Sequence, residues 1–460
     1  MIAKLIKPEI EELINQKNWR EIKEIINDVP AVDVGELLED LDNQTALLVF
    51  RLIEKKKASD VFSHLHPDTG VELLNQFTSL QVKEIIGGLP PDDRAAFLEE
   101  LPGNLVQLIM NNLSPAELNE VKVLLGYPEY SIGRIMTPKY VKIKRDWSIE
   151  RCMLHLRKWG KSAETINVIY VVDGIERLID DITVNKLILA DPDEIVSSLM
   201  DDSFVALNVM DDQEAAVKAL TKYDRVALPV VDSDGVLVGI VTADDVFDVA
   251  EEETTEDMQL MAGMAALDDY YSNTTIFEMV KKRIGWLVIL FVGQLFTTSA
   301  LSAYQDIISK AVFLSLFIPM IISSGGNTGS QAATLIIRAL STDDLKREDW
   351  ALVLRREILS GLLLGTLVAF FGFFILLFYA FLNGQEFNLV LWLSSAAISL
   401  SLLSVIIFGN ILGAMLPFLL TKMGFDPAVT SAPFVSTLSD VTGILIYFTI
   451  AIAILKGTIF

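Results

Sequence analysis

Five apolar stretches in the second half of the chain restrict its possible folds more than any other feature. They lie near residues 284–305, 311–339, 358–382, 388–420 and 430–455. Each stretch is long enough, as a helix, to cross the hydrocarbon core of a bilayer, which is about 30 Å thick. Because the backbone finds no water there, such stretches must form helices that satisfy their own hydrogen bonds. The sequence therefore predicts an α-helical membrane domain with five transmembrane helices over residues 281–460.

The first 280 residues have a very different composition. They contain 52 acidic and 26 basic residues, whereas residues 281–460 contain 9 acidic and 11 basic residues. The acidic excess argues against nucleic acid as a partner, because nucleic acid requires a basic surface, and it favours cations. The single cysteine, Cys152, excludes a disulfide framework and a cysteine-based metal cluster. The first residues lack the apolar core of a signal peptide, so we expect this region to stay in the cytoplasm.

Basic residues that flank the apolar stretches indicate the orientation of the chain. Cytoplasmic connections of membrane proteins carry an excess of Lys and Arg. On the side of the acidic region these residues are Lys281, Lys282, Arg283, Lys346, Arg347, Arg355, Arg356 and Lys422. The opposite side has only Lys310 and Lys456. We therefore expect the N-terminus inside the cell and Phe460 outside.

The second apolar stretch contains small and polar residues at its centre. Its sequence IPMIISSGGNTGSQAATLII includes Gly325, Gly326 and Asn327. Glycines at membrane depth permit close approach of helices or local unwinding, and freed carbonyls must then face protein or water. One interpretation is a wall of an aqueous pathway. The other is a packing face on which Asn327 and Gln331 form interhelical hydrogen bonds, and the two are compatible.

The fifth stretch carries a carboxylate about ten residues from its start. Burying Asp440 in a membrane helix costs about 2.5–3.5 kcal/mol on insertion scales. No Lys, Arg or His lies at a comparable depth in the other stretches, so Asp440 has no obvious ion-pair partner in the membrane. Ser436 lies four residues earlier on the same helical face. We interpret Asp440 as part of a cation pathway; a protonated structural aspartate is the alternative.

Residues 1–128 show a repeat of 24 residues. Pro67, Pro91 and Pro115 recur at this spacing, each near the start of a helical pattern, and Asp42 begins a weaker fourth copy. Proline at the start of a helix with acids in the first turn is a favourable N-terminal arrangement. Stacked hairpins with this period predict an all-α superhelical N-terminal domain.

Residues 129–252 contain an internal duplication of strand and helix patterns. MTPKYVKI corresponds to MDDSFVAL, and VIYVVD corresponds to ALPVVD, so that the two copies cover approximately residues 136–192 and 200–252. The pair resembles tandem CBS domains, which have an α/β fold. In nucleotide-binding CBS domains an aspartate at the position of Asp245 holds the ribose. The first copy has Lys186 there, so adenine-nucleotide (ATP) binding is doubtful.

A run of acids follows the second copy. Between Asp244 and Asp257 there are eight acidic residues and no basic residue. Such runs are usually solvated surfaces, and this interpretation stays open. If two acidic surfaces met, carboxylates about 4 Å apart would repel each other by about 4 kcal/mol per pair at an effective dielectric constant of about 20. Bridging divalent cations would reverse the sign of this energy. We treat residues 253–280 as an acidic connecting helix that leads into the membrane domain.

The complete order of modules resembles the MgtE family of bacterial magnesium channels and transporters. The motifs that carry the resemblance are PMIISSGGNTGSQAA in the second stretch, FDPAV and SDVTGILIYF around the fifth, and DDVFDVAEEETTED before the membrane domain. The resemblance implies a multidomain homodimer in the bacterial inner membrane, with a pore on the two-fold axis. It implies a Mg²⁺-selective channel or transporter, not an enzyme, that cytosolic Mg²⁺ closes through the acidic domains.

The resemblance also implies roles for individual residues. In the pore, Asp440 would hold hydrated Mg²⁺, lined by Asn327, Ser436, Gly325 and Gly326, and Asp426 would be a ligand near the inner gate. Regulatory Mg²⁺ would bind in the soluble region to Asp92, Asp93, Asp212, Glu214, Asp224, Asp245, Asp248, Glu253, Glu256 and Asp257. Asp92 and Asp93 are assigned only through the repeat.

The ligand chemistry agrees with a hard cation. Mg²⁺ takes octahedral oxygen ligands and loses water reluctantly, whereas soft metals select Cys or His. The chain has three histidines, none of them in residues 281–460. Three alternatives stay open: an ion-coupled divalent cation transporter or exporter, a membrane-anchored CBS receptor without transport, and a membrane enzyme. The membrane stretches contain no HExxH or GxSxG motif, which disfavours the enzyme.

Overall fold

The computed structural model describes residues 2–99, 101, 103–267, 271, 274–342, 344–382, 384 and 387–459. The chain divides into two compact units, Met1–Ala250 and Glu251–Phe460. The first unit combines a helical region with two small sheets, and the second contains long apolar helices. This arrangement confirms the predicted multidomain fold class.

The described residues before position 125 form ten α-helices. They are α1 (Ile2–Asn15), α2 (Trp19–Asp28), α3 (Ala31–Glu39), α4 (Asn43–Phe50), α5 (Lys55–Ser63), α6 (Pro67–Leu74), α7 (Ser79–Gly88), α8 (Pro91–Glu99), α9 (Gly103–Met110) and α10 (Pro115–Leu124). Proline is the first residue of α6, α8 and α10, as the 24-residue period predicts. Asp42 caps α4, since its side chain accepts hydrogen bonds from the N–H groups of Gln44 and Thr45.

Two small sheets follow the helical region. Their elements are α11 (Ile132–Ile135), β1 (Lys142–Lys144), α12 (Ile149–Trp159), β2 (Val168–Val172), β3 (Leu178–Thr183), α13 (Val184–Leu189), β4 (Leu207–Asn208), α14 (Glu214–Tyr223), β5 (Ala227–Val231) and β6 (Leu237–Thr242). In the first sheet β2 pairs in parallel with β1 and antiparallel with β3. In the second sheet β5 pairs in the same way with β4 and β6. The two copies therefore have the same topology.

The strand register gives an independent alignment of the two copies. Val168 pairs with Thr183 in the first sheet, and the equivalent pair in the second sheet, Ala227 and Thr242, lies 59 residues later in the sequence. The same interval leads from Lys186 to Asp245. The structure thus confirms that Lys186 occupies in the first copy the position of Asp245 in the second.

The remaining helices belong mostly to the second unit. They are α15 (Ala243–Met261), α16 (Ile276–Ala303), α17 (Gln305–Lys310), α18 (Val312–Ser315), α19 (Ile318–Ser341), α20 (Trp350–Leu382), α21 (Leu389–Lys422) and α22 (Ala432–Leu455). Helix α15 begins directly after β6 and continues without interruption past residue 252, where the sequence analysis ended the CBS pair.

In the part of the chain that the structure describes, five helical segments are long and apolar enough to cross a membrane, as predicted. They are Ile276–Ala303, Val312–Ser341, Arg347–Leu382, Leu389–Lys422 and Ala432–Leu455. The first and third begin earlier than the predicted apolar stretches. Helical hydrogen bonding continues through charged residues that the hydropathy pattern excludes, among them Lys281 and Arg355. The basic residues assigned to the connection between the second and third stretches therefore lie partly within α20.

Candidate cation sites

The first candidate site consists of acids at the starts of two helices in the unit Met1–Ala250. Asp92 and Asp93 lie in the first turn of α8, and Asp244 and Asp245 lie in the first turn of α15. Backbone N–H groups at a helix start stabilise negative charge, so both pairs occupy favourable positions in their own helices. Repulsion between carboxylates of the two helices arises only where the pair on α8 approaches the pair on α15.

Asp92 is buried and incompletely hydrogen-bonded. Its exposed fraction is 6%, and among the described residues its Oδ1 atom has no hydrogen-bond partner. Burial, and then the charges of Asp245 and Asp93, raise the pKa of Asp92 to about 8. A buried carboxylate with a free oxygen is a group that gains from a bound cation.

The pKa values of the neighbouring acids Asp93 and Asp245 are also raised. Burial and the charges of Glu164, Asp244 and Asp248 raise the pKa of Asp93 to about 6. Burial raises the pKa of Asp245 to about 7, although a hydrogen bond from the Thr242 hydroxyl opposes this shift. The two helix starts and Glu164 therefore form one negatively charged cluster, which we call the acidic cluster.

The buried arginine next to Asp92 does not neutralise this cluster. Arg94 donates hydrogen bonds to the carbonyl oxygens of Ile86, Gly87 and Leu89, at the C-terminal end of α7, and forms an ion pair with Glu120 at 3.3 Å. Within the described part of the chain, neither Asp92 nor Asp93 forms an ion pair. Neither of these two carboxylates is therefore neutralised by an ion pair, whereas the charge of Lys139 partly offsets that of Glu164.

The acidic cluster does not form a closed coordination shell within one chain. Among the described residues, no group of three or more His, Cys, Asp or Glu side chains is arranged to hold a metal ion. Oxygen donors and the unpartnered Oδ1 of Asp92 suit Mg²⁺, which keeps several water ligands in most protein sites.

Glu164 was not predicted as a site residue. It lies in the connection between α12 and β2, far from the acidic run in the sequence, and only the fold brings its charge close to Asp93. A single glutamate in a polar loop gives no sequence signal. Asp60 in α5 also raises the pKa of Asp93 and was missed for the same reason.

Three predicted ligands lie on the surface of the second CBS copy. Asp212 accepts a hydrogen bond from the N–H of Glu214 at 2.9 Å, and Glu214 forms an ion pair with Lys218 at 3.0 Å. Asp224 ends α14 in a left-handed conformation with φ 50°. Asp212 and Asp224 are exposed and Glu214 is half-buried.

The predicted ligands on α15 divide between the two units. Asp248 is exposed and belongs to the first unit. In the second unit Glu256 is exposed, whereas Glu253 and Asp257 are half-buried. All four belong to the same helix as Asp245, the acidic residue beside Asp92.

The second candidate site is the region around Asp440 in α22. The carboxylate is half-buried, and among the described residues it has neither a hydrogen bond nor an ion pair. Ser436 lies one turn earlier in α22 and contacts α19. A Cβ atom on Gly326 would be 2.5 Å from the Ser436 Oγ atom. The small-residue segment of α19 therefore lies directly against the helix that carries Asp440.

Glycines bring α19 into close contact with α21 as well. A Cβ atom on Gly325 would be 2.5 Å from Val405 Cγ1, and one on Gly409 would be 2.5 Å from the carbonyl oxygen of Gly325. Helix α19 is continuous, so the structure shows the close approach of helices that the glycines permit and no local unwinding. Gly325 and Gly326 are buried in these contacts, and their role in lining a pore stays a prediction.

Asn327 faces away from the buried glycines. Its side chain is exposed and its Nδ2 atom donates to Ser323 Oγ within α19, at 3.2 Å. Among the described residues, Asn327 therefore does not form the expected hydrogen bond to another helix. Ser330 makes such a bond, since its hydroxyl donates to the carbonyl oxygen of Ala432 at 3.1 Å.

Asp426 lies six residues before the start of α22. Its side chain accepts a hydrogen bond from the Ala428 N–H at 2.6 Å and is exposed to solvent. Leu260 and Met261, at the end of α15, pack against a buried cluster that includes Ala428 and Val435. The end of α15 thus contacts the start of the helix that carries Asp440.

A further acid that was not predicted as a site residue lies in the first part of the third span. Glu357 in α20 accepts a hydrogen bond from Asn410 Nδ2 in α21 at 3.2 Å, and Asn410 is 3% exposed. The predicted stretch began at residue 358, one residue later. A carboxylate followed directly by an apolar run was the available signal.

Three family models match this chain. The model of the divalent cation transporter family MgtE matches residues 318–450, and the model of the MgtE intracellular N domain matches residues 29–130. A CBS domain model matches residues 196–252, which is the second copy. The first copy, whose sequence departs from the pattern, has the same strand order in the structure.

Full-length relatives are similar over nearly the whole chain. The chain is 36% identical to the magnesium transporter MgtE of Thermus thermophilus over 451 residues, which cover 97% of this chain and 98% of the relative. It is 30% identical to the magnesium transporter MgtE of Enterococcus faecalis over 442 residues, which cover 96% of this chain and 95% of the relative.

Two solved structures are similar to the soluble region. The cytosolic domain of the Mg²⁺ channel MgtE in complex with ATP matches with a TM-score of 0.51 and 34% identity, covering 53% of this chain and 99% of that structure. The soluble part of a magnesium transporter matches with a TM-score of 0.51 and 26% identity, covering 55% of this chain and 99% of that structure.

Proposed function

Since the chain belongs to the MgtE family of magnesium transporters, we propose that it is a Mg²⁺-selective channel of the bacterial inner membrane. In this proposal cytosolic Mg²⁺ binds to the acidic soluble region and closes the channel. The observation that carries the proposal is Asp440, a carboxylate in a membrane-spanning helix with neither an ion pair nor a hydrogen bond among the described residues. A cation that passes this position explains why the charge is retained.

Oxygen ligands suit the permeation of hydrated Mg²⁺. The Asp440 carboxylate attracts the ion, and hydroxyl and amide groups such as those of Ser436 and Asn327 bind its water shell. Because Mg²⁺ loses water slowly, a pathway that keeps most of the shell passes it faster than one that strips it. We propose that two copies of the chain face each other, with Gly325 and Gly326 allowing α19 to approach α22 at the pathway.

Regulation follows from the electrostatics of the acidic cluster. Without Mg²⁺, the ionised carboxylates of Asp92, Asp93 and Asp245 repel one another, and this repulsion disfavours close packing of α8 against the start of α15 unless the carboxylates take up protons. A divalent cation neutralises the cluster and stabilises the packed state. Each bound ion shifts the equilibrium only by its different affinity for the two states, so several sites are needed for a steep response.

The surface acids complete the proposed sensor. Asp212, Glu214 and Asp224 on the second CBS copy, and Asp248, Glu253, Glu256 and Asp257 along α15, would bind Mg²⁺ where these surfaces meet other acidic surfaces of the homodimer. Asp426 would bind an ion at the cytoplasmic entrance to the pathway. Their exposure in the single chain supports this role for Asp212, Asp224, Asp248, Glu256 and Asp426.

Helix α15 provides the proposed connection from sensor to pathway. It carries Asp244 and Asp245 at its start, and Leu260 and Met261 at its end pack near Ala428 and Val435. A shift of this helix when Mg²⁺ binds would change the packing at the start of α22. In the closed state residues 255–280 would block the pathway.

An ion-coupled divalent cation transporter or exporter is the main alternative. It would use Asp440 in the same way, but its flux would depend on a proton or sodium gradient. A receptor without transport would keep its function after Asp440→Ala. The family is one of transporters and not of enzymes.

ATP binding is a separate question for the CBS pair. The doubt raised by the sequence concerns Lys186, which forms an ion pair with Asp201 at 3.1 Å. A related cytosolic domain has been solved with ATP. Calorimetric titration of the full chain with ATP, with and without Mg²⁺, measures directly whether this pair binds the nucleotide.

Complementation of a magnesium-requiring bacterial strain tests the proposed transport. We expect Asp440→Asn to lose growth rescue, because the neutral amide attracts a divalent cation much less than a carboxylate does. The control is Asp306→Asn, which removes an exposed carboxylate from α17. Normal rescue by Asp440→Asn would remove this residue from the pathway.

A further inference from the structure

A groove on the surface of the second unit lies beside the C-terminal half of α21. Its volume is about 710 Å³, and its walls are mainly apolar, with Phe408, Leu412 and Leu419 from α21 among them. Trp350, the first residue of α20, lines the same groove. Apolar walls of this kind, on helices long enough to cross a membrane, suit a hydrocarbon ligand.

One end of the groove carries positive charge. Arg347 and Lys422 line it, together with one acid, Glu348, and all three side chains are exposed. Within the described part of the chain, neither Arg347 nor Lys422 forms an ion pair. Two basic side chains against one acid leave a net positive charge at the end of an apolar groove, which suits an anionic head group.

The groove continues along α21 as a second cavity. This cavity has a volume of about 450 Å³ and shares Phe408 and Ile411 with the groove, before reaching Ser404 and residues of α22. At about 1.5 Å per helical residue, Ser404 lies about 27 Å from Lys422 along the axis. This length is close to the hydrocarbon thickness of a bilayer, about 30 Å, so the combined cavity can hold an acyl chain.

We propose that this groove is a binding site for one anionic phospholipid. The phosphate would lie between Arg347 and Lys422, and an acyl chain would run along α21 past Leu412 and Phe408. Trp350 has the position expected of an aromatic residue at the membrane–water interface. Basic pockets between membrane helices on the cytoplasmic side are suited to acidic lipid head groups, whereas a zwitterionic lipid gains less from the two basic side chains, because its own cationic group offsets the charge of its phosphate. The site depends on the proposed membrane orientation but not on which ion is transported.

Native mass spectrometry of the full-length protein in detergent tests this site. The probes are phosphatidylglycerol and phosphatidylcholine with the same acyl chains. We expect the wild-type protein to retain phosphatidylglycerol preferentially. The double variant Arg347→Ala/Lys422→Ala should lower this retention by about tenfold or more, because each basic residue contributes a separate attraction to the head group.

A matched control separates a specific site from general attraction to the membrane. Arg355→Ala/Arg356→Ala removes the same charge from the same end of α20, and neither residue lines the groove. It should leave lipid retention within about twofold of the wild type. An equal loss in both double variants, or equal retention of both lipids by the wild type, would overturn the proposal.

A third variant tests the apolar part of the groove without changing its charge. Leu412→Trp fills the groove and should reduce retention of phosphatidylglycerol, while thermal unfolding stays close to that of the wild type. If Leu412→Trp leaves lipid retention unchanged and instead shifts the ratio of one-chain to two-chain ions, the groove is a contact between copies of this chain. That result would also overturn the lipid site.

Discussion

Gly326 in α19 lies so close to Ser436 in α22 that an added Cβ atom would be 2.5 Å from the serine hydroxyl oxygen. Real side chains do not approach this closely, so after a substitution either the Ser436 side chain or the two helices must shift. Because Ser436 lies one turn before Asp440, this contact also sets the distance between the small-residue segment of α19 and the proposed cation pathway.

The first prediction concerns this helix contact. Gly326→Ala should lower the free energy of unfolding by about 1–3 kcal/mol through overpacking, and it should reduce Mg²⁺ flux. The control is Gly443→Ala in α22, where a Cβ atom would be 3.6 Å from Val405 Cγ1, an ordinary contact. That variant should be as stable as the wild type or slightly more stable. Thermal unfolding in detergent measures the stability of both variants. Equal stability of Gly326→Ala and Gly443→Ala would contradict the proposed close packing at Gly326.

The second prediction concerns pH. The pKa values of Asp92, Asp245 and Asp93 rise to about 8, 7 and 6, all above the ordinary value of 3.8. The folded state therefore binds more protons than the unfolded state between about pH 4 and pH 8, and stability falls as pH rises through this window. Saturating Mg²⁺ replaces these protons, so it should make the stability of the protein less dependent on pH.

Thermal unfolding of the full-length protein from pH 5 to pH 8.5, with and without Mg²⁺, measures this effect. Asp92→Asn removes the group with the largest shift, so it should reduce the decline in stability without Mg²⁺. A wild-type profile that rises with pH in the absence of Mg²⁺ would show that the acidic cluster is not the dominant titrating group.

The third prediction concerns Glu357 and Asn410. Asn410→Leu should destabilise the protein by about 1–3 kcal/mol, because Glu357 loses its donor in a half-buried position. Replacing both residues by leucine should cost much less than the single change, since no unpaired polar group remains. A double-mutant cycle based on thermal unfolding tests this, and additive effects of the two changes would show that the residues do not interact.

The fourth prediction separates regulation from conduction. Neutralising Asp245, Asp248 and Glu256 together should leave maximal flux unchanged and raise the Mg²⁺ concentration needed for closure. The control neutralises Asp191, Asp193 and Glu194, three exposed acids after α13, and should leave closure as it is. A lower maximal flux in the first variant alone would place these acids in the conduction pathway instead.

Local patterns in the sequence were sufficient to predict most of the fold. The 24-residue period located the prolines that begin α6, α8 and α10, because proline at a helix start is a local preference. Hydropathy located the five spans, but it placed the start of the third after Glu357. The helix continues through charged residues at its end because a charge near the membrane surface does not interrupt backbone hydrogen bonding.

The candidate sites were predicted less completely, since they depend on contacts between distant segments. The acids of α15 form a visible run, whereas Glu164 joins the acidic cluster only because the CBS fold brings its loop towards α8. The first CBS copy departs from the sequence pattern and still forms the same sheet, because all five residues of β2 are buried and apolar. Asp440 was recognisable because a lone carboxylate in an apolar helix requires an explanation.

Mg²⁺ flux into proteoliposomes, with the soluble region facing a bath of graded Mg²⁺ concentration, tests conduction past Asp440 and closure by Mg²⁺ in one measurement. We expect flux at low Mg²⁺ on that side, closure as Mg²⁺ rises, independence from proton and sodium gradients, and loss of flux in Asp440→Asn but not in Asp306→Asn. Undiminished flux through Asp440→Asn, or flux that disappears without a proton or sodium gradient, would contradict this expectation.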